Sequence, residues 1–275
     1  MSKIPDVYDC CKYDAIHSQP SLGLTRLQEC YKTAQVLSEF VAPAEYGMTR
    51  MQRLDIGSTI CRNLMDKIAR DIETALPKRE CDTDASETDE DVEGDGAGIR
   101  INPDFIEDVD FIDDQIKTRL YFTSESHVHG IINSLRYCHY AGDEECSSQP
   151  RHEDGQHSPK TPGHQPNPLL SEEAQAELNS VHEFDYLSQI IFKVYENTQV
   201  ADPADPSRFE VRIGISPGVT GLGQDRQCQP VQWLACPEDF LKCDTFVAML
   251  RSLTARVDRR AHQEPEKRPK VDKSS

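Results

Sequence analysis

Thr123-Ser124-Glu125-Ser126-His127 sets three hydroxyls and an imidazole where a short aromatic run gives way to an apolar pattern of helical period. A helix N-terminus presents free N–H groups and partial positive charge, both suited to a phosphate oxygen. The hydroxyls of Thr123, Ser124 and Ser126 add donors, and His127 stands where an imidazolium can neutralise a phosphoryl group. The pattern nominates a phosphate site; the plainer reading is a capped core helix with an incidental histidine. His129 lies two residues on and faces another side of a helix, so the two imidazoles are not expected to share a site.

Several elements must position this pentapeptide. Arg119–Thr123 is short and rich in aromatic and β-favouring residues, which predicts a buried strand. Behind it Val128, Ile131, Ile132, Leu135 and Cys138 fall on one helical face. Upstream, Thr25-Arg26-Leu27-Gln28 and Thr49-Arg50-Met51-Gln52 both match the capping box, and each precedes an amphipathic helix, the second closed by Pro77. Downstream, Ser171 is placed to cap a helix. Tyr186–Tyr195 reads as a central strand and Arg208–Ile215, which alternates polar and apolar, as its half-exposed antiparallel neighbour. Pro237–Leu250 reads as one more helix, with Glu238 and Asp239 at its positive end. The fold class is α/β: a central sheet of 119–123, 187–195 and 208–215 with flanking helices.

Composition bounds the rest. The 275 residues carry a net charge of −18, which argues against nucleic-acid binding and against a basic membrane surface. Fourteen acids and one arginine between Asp82 and Asp114 hold about −13 of it, so an anionic substrate stays compatible with a locally basic pocket. Residues 81–116 read as an acidic disordered insert, 141–169 as a Pro/Gly/Ser-rich one and 253–275 as a disordered tail. No EF-hand register or zinc spacing is present, so no metal site is expected. The ten cysteines lack any C-x-x-C, and no segment is apolar enough for a signal peptide or a membrane span. These features predict a cytosolic protein without membrane insertion; oligomeric state is not legible.

TRLYFTSESHVH, KIPDVYDCCKYDAIH at 3–17 and the run from FDYLSQIIFKVYEN to RFEVRIGISPG together resemble the phosphatase half of the bifunctional inositol hexakisphosphate and diphosphoinositol-pentakisphosphate kinases. The resemblance covers 3–76, 117–140 and 170–218. It implies an incomplete histidine-phosphatase-like fold, with residues 1–80 in a helical cap region, 117–140 carrying the late active-site histidine and 170–252 completing the sheet. It further implies inositol polyphosphates as partners, His127 as the catalytic histidine, and Arg119, Ser124, Ser126 and Lys12 as substrate contacts, with Arg26 a weaker one. ATP and magnesium would belong to the kinase half of the parent, and this chain is expected to need no cofactor. The superfamily carries an acid directly after the late histidine, whereas this chain has Val128, leaving Glu125 or Asp14 as candidate proton donors. The early R-H-x-x-R motif that supplies the nucleophile is absent, since Arg151-His152 runs into Glu153-Asp154-Gly155. The expectation is a C-terminal fragment inactive alone, with an open sheet edge and poor solubility. The competing readings are a non-catalytic inositol-polyphosphate-binding module and an interaction domain whose acidic insert recruits basic partners.

Overall fold

The computed structural model describes residues 3–76, 118–141, 166–181, 184–202, 205–222, 226–238 and 240–263. The whole acidic insert, and the expectation of disorder for it, lies outside the described residues.

The chain opens with a helix absent from the sequence reading. Pro5 occupies its first turn and Asp6 its positive end, and α1 (Ile4–Tyr13) buries Tyr8, Cys11 and Lys12. A π-helical turn (Asp14–Ser18) leads into the short α2 (Gln19–Leu22). Pro20 supplies no N–H for the carbonyl four residues back, which accounts for the lost α register there. Gly23, at φ 60°, ends the run in the left-handed region. α3 (Leu27–Glu45) then packs against α1, and Tyr8, Cys11, Leu27, Tyr31 and Ala34 form a small core between them. Thr25 does not cap α3 as its spacing predicted. Arg26 holds the N-cap position without a side-chain cap, and its guanidinium pairs with Glu29 instead (2.7 Å).

The second capping box is formed as expected. Thr49 Oγ1 accepts from the Gln52 N–H (3.2 Å) and Gln52 Oε1 accepts from the Thr49 N–H (3.2 Å), opening α4 (Arg50–Ala75). Leu54, Cys61, Met65, Ile68 and Ala69 line its buried face. Against that face pack α5 (Glu125–Tyr137), which ends in a 3-10 turn (Cys138–Tyr140), and α7 (Cys243–Gln263); α6 (Glu172–Asn179), capped by Ser171 as predicted, lies beside α5. Ion pairs join α4 to α7: Arg62 with Asp258 (2.9 Å), Arg256 with Asp55 (2.7 Å), Arg260 with Asp55 (2.5 Å), and Arg251 with Asp66 and Glu73. These contacts correct two expectations. The helix starts at Cys243 rather than Pro237, because Leu241–Lys242 first pairs as a strand, and it runs through 253–263, which had been assigned to the tail. Residues 264–275 lie outside the described residues.

The strands β1 (Gln189–Glu196) and β2 (Phe209–Ser216) pair antiparallel along their whole length, Gln189 opposite Ser216 and Glu196 opposite Phe209. β3 (Val219–Thr220) and β4 (Gln227–Cys228) form a separate two-stranded ribbon. β5 (Gln232–Leu234) and β6 (Leu241–Lys242) pair with β2. The antiparallel pair is therefore as predicted, but the roles are exchanged. β2 is central, with Val211, Ile213 and Ile215 buried with Phe246 and Leu250, while β1 is an edge strand with Val194 and Tyr195 exposed. An apolar run such as Ile190-Ile191-Phe192 marks β propensity, not position in a sheet. The far side of β1 has no partner strand among the described residues, which matches the expected open edge. Among the described residues, no helix is long and apolar enough to cross a membrane.

Candidate functional site

Ser124 takes the N-cap position of α5 in extended geometry (φ −83°, ψ 163°), yet its hydroxyl does not cap the helix. Its Oγ lies 2.9 Å from His127 Nδ1 and 2.8 Å from Ser126 Oγ. The His127 N–H turns back to the Ser124 carbonyl (3.1 Å), while the N–H groups of Glu125 and Ser126 are left without a side-chain acceptor, and these are the groups that suit an oxyanion. The imidazole is half-buried. With Nδ1 tied to Ser124, a neutral ring accepting the hydroxyl proton carries its own proton on Nε2, and a charged ring donates from both nitrogens. In either of these states Nε2–H is available as a donor, and Nε2 has no hydrogen-bond or ion-pair partner among the described residues; in the other neutral tautomer Nδ1–H donates to Ser124 and Nε2 is an acceptor.

Two glycines set the depth of α5 on α4. A Cβ on Gly57 would stand 2.7 Å from the Gly130 carbonyl, and one on Gly130 would collide with Cys61 Sγ. The backbones of Gly57 and Gly130 meet directly at this crossing, with the Cys61 side chain beside them. Cys61 Sγ donates to the His127 carbonyl (3.2 Å), and burial pushes its thiol pKa up to about 12, so it stays protonated at neutral pH and keeps that bond. The far end of α5 is held by Asn167, whose amide donates to the carbonyls of Leu135 (2.8 Å) and Arg136 (2.9 Å) and whose Oδ1 accepts from the Leu169 N–H (2.8 Å). Sequence reasoning missed all three contacts. It also placed the second insert too late at its end, since Asn167 and Leu169 are ordered and buried. The remainder of that insert, 142–165, lies outside the described residues.

The predicted strand at 119–123 does not form. Residues 118–124 run without ladder partners, with Leu120 and Phe122 exposed at 76% and 93%. Tyr121 alone is fixed: its hydroxyl donates to Asp71 of α4, with Arg119 Nε 4.0 Å from the same carboxylate. His127 is delivered by a tethered extended segment rather than by a sheet. Arg119 therefore lies beside the turn, shared with Asp71. Lys12 does not: it is buried, 2.8 Å from Asp185, and so is not a free cation for phosphate. Arg26 is spent on Glu29. Val128 is turned into the core, and Glu125 lies 3.3 Å from His129 Nε2 rather than at His127. Asp14 sits in the π-helical turn. The two histidines diverge as expected, because His129 stacks on Tyr46 (centroids 4.4 Å apart) and meets Phe184 edge-on (5.0 Å).

The profile of the histidine phosphatase superfamily (branch 2) matches residues 1–215. The inositol hexakisphosphate and diphosphoinositol-pentakisphosphate kinase VIP1 of Arabidopsis thaliana is 34% identical over 79% of this chain, which covers 22% of that protein. The corresponding kinase 2 of Homo sapiens is 31% identical over 82% of this chain and 15% of its own length. The Saccharomyces cerevisiae kinase is 26% identical over 70% of this chain and 11% of its length. The chain thus spans roughly a fifth or less of these relatives. No solved structure matches. The matched region runs from α1 through α5 into β2, and so takes in the serine–histidine turn and the helix α4 on which α5 packs; the chain belongs to branch 2 of the histidine phosphatase superfamily.

Proposed function

We propose that this chain forms part of the phosphatase-like half of a bifunctional inositol hexakisphosphate and diphosphoinositol-pentakisphosphate kinase, and that His127 is its phosphate-holding imidazole. One observation carries the assignment: Ser124 gives up the helix cap to orient the His127 ring, leaving Nε2 and the first-turn N–H groups of Glu125 and Ser126 without a partner among the described residues. A hydrogen bond from a charged donor to a phosphate oxygen contributes about 1.5–3 kcal/mol, roughly twice a neutral one. Ser124 and Ser126 add hydroxyls and Arg119 adds charge beside the turn. ATP and magnesium serve the kinase half, and no residue here is assigned to them. The proposed partners are inositol polyphosphates, in the cytosol.

Covalent transfer requires a nucleophile set against the phosphorus, and the sequence has no R-H-x-x-R to provide one. The chain alone should therefore bind inositol hexakisphosphate in a saturable, salt-sensitive manner, with affinity falling about tenfold in His127→Ala. It should release no phosphate from a diphosphoinositol substrate. Phosphate release that disappears in His127→Ala would overturn the second expectation, and calorimetric binding indifferent to that substitution would overturn the first.

A further inference from the structure

A second polar cluster, holding two guanidiniums, lies between α4 and α5, away from the His127 turn. Arg53 of α4 and His129, Asn133 and Arg136 of α5 line a partly open cavity of about 50 Å³, with Tyr46 and Phe184 also in its wall. A water needs about 10–15 Å³ by this measure, so the space suits a few waters or one small polyatomic ion.

The electrostatics of this cavity are incomplete. Arg136 donates to the Asn179 amide oxygen and lies over the Tyr137 ring (5.2 Å), but its Nε is buried without a hydrogen-bond partner. Among the described residues, Arg53 donates only to neutral acceptors, the Gly47 carbonyl (2.9 Å) and the Tyr137 hydroxyl (3.3 Å). Among the described residues, no carboxylate pairs with either guanidinium; Glu125 goes to His129 at the edge. Burial, and after it the positive charge of Arg53, pushes the Arg136 pKa down from its ordinary value. Among the described residues, then, neither guanidinium has an acid to neutralise it, and the buried Arg136 Nε is left unsatisfied, which is unfavourable. An oxyanion relieves this, because the guanidinium fork matches it bidentately.

We propose that this cavity is a binding site for a single tetrahedral oxyanion, inorganic phosphate or the phosphate of a small monoester, held by Arg53 and Arg136 with Asn133 and His129 alongside. The site is independent of the His127 turn. It is also too small for a whole inositol polyphosphate, so it does not duplicate the proposed substrate site.

The full chain is titrated calorimetrically with inorganic phosphate and with glycerol 3-phosphate at fixed ionic strength. Saturable binding of either probe, weakened tenfold or more in Arg136→Met and in Arg53→Met and retained in His127→Ala, supports the site. Binding of both probes identifies free phosphate as a sufficient ligand, and binding of the ester alone identifies a phosphoester subsite. Arg53 is only half-buried, so Arg53→Met keeps the test open if Arg136→Met fails to fold. Absence of saturable binding, or binding lost in His127→Ala and kept in both arginine variants, overturns the proposal.

Discussion

The body built from α4, α5, α7 and the β2-centred sheet differs from the hairpin of α1 and α3 in how each is held. The body shares one continuous core, from Leu54 and Met65 through Ile131 and Leu135 to Phe246 and Leu253, each buried side chain contributing about 1.5–3 kcal/mol relative to exposure. The hairpin buries Tyr8, Cys11, Leu27, Tyr31 and Ala34, and leaves Val36 and Phe40 exposed at 68% and 80%. A core of that size does not support independent folding. The hairpin is instead joined to the rest through polar groups. Lys12 pairs with Asp185, and Tyr13, its pKa raised to about 12 by burial and then by its hydrogen bond to Tyr186, stays neutral beside that residue. The two regions teach that membership in one fold does not imply equal stability: one half is packed, the other is pinned.

Breaking the pin gives the largest effect. Asp185→Ala leaves Lys12 buried without this carboxylate, at a cost of roughly 3–5 kcal/mol. Native-state hydrogen exchange should show protection collapsing in α1 and α3 while α4, α5 and α7 retain theirs. Uniform loss across both regions would mean that they fold as one unit. Next in size is a change to the body itself. Gly130→Ala forces a methyl against Cys61 Sγ at the α4–α5 crossing and should destabilise by about 1–3 kcal/mol in denaturant unfolding. A neutral result would show that the crossing can widen freely. The smallest effect concerns the ion pairs between α4 and α7. Arg62 holds the Asp258 carboxyl below its ordinary pKa of about 4. The stabilisation is present above that ordinary value and is lost as pH falls through the lower folded one. Wild type and Asp258→Asn should thus differ in melting temperature at neutral pH and converge under acid conditions; a constant difference would assign the contribution elsewhere.

Much of the body was legible because its signals are local. Thr49 and Gln52 define a cap within four residues, and Val128, Ile131, Ile132 and Leu135 report their burial by spacing alone. What failed depended on partners distant in sequence. Residues 119–123 have the side chains of a strand, but a strand exists only where another offers a ladder, and Tyr121 finds Asp71 instead. The mixed charges after Arg256 resembled a solvated tail until Asp55 and Arg62 of α4 supplied their counter-ions. At the site, the hydroxyls and His127 were visible in the sequence as one cluster. The Gly57–Gly130 crossing was not, because a lone glycine in a helical pattern does not say which backbone it admits.

The hydrogen bond between Tyr121 and Asp71 has a consequence for the sequence between them. The chain leaves α4 at Ala75 and is caught again on the same helix by Tyr121, so the described points that flank residues 77–117 are both fixed on α4. For a flexible connection between two fixed points, the closure entropy grows only with the logarithm of its length, about 0.6 kcal/mol for each doubling. Insertions and deletions there should leave the serine–histidine turn in register, so this stretch can vary in length and charge between lineages without disturbing the chemistry beside it.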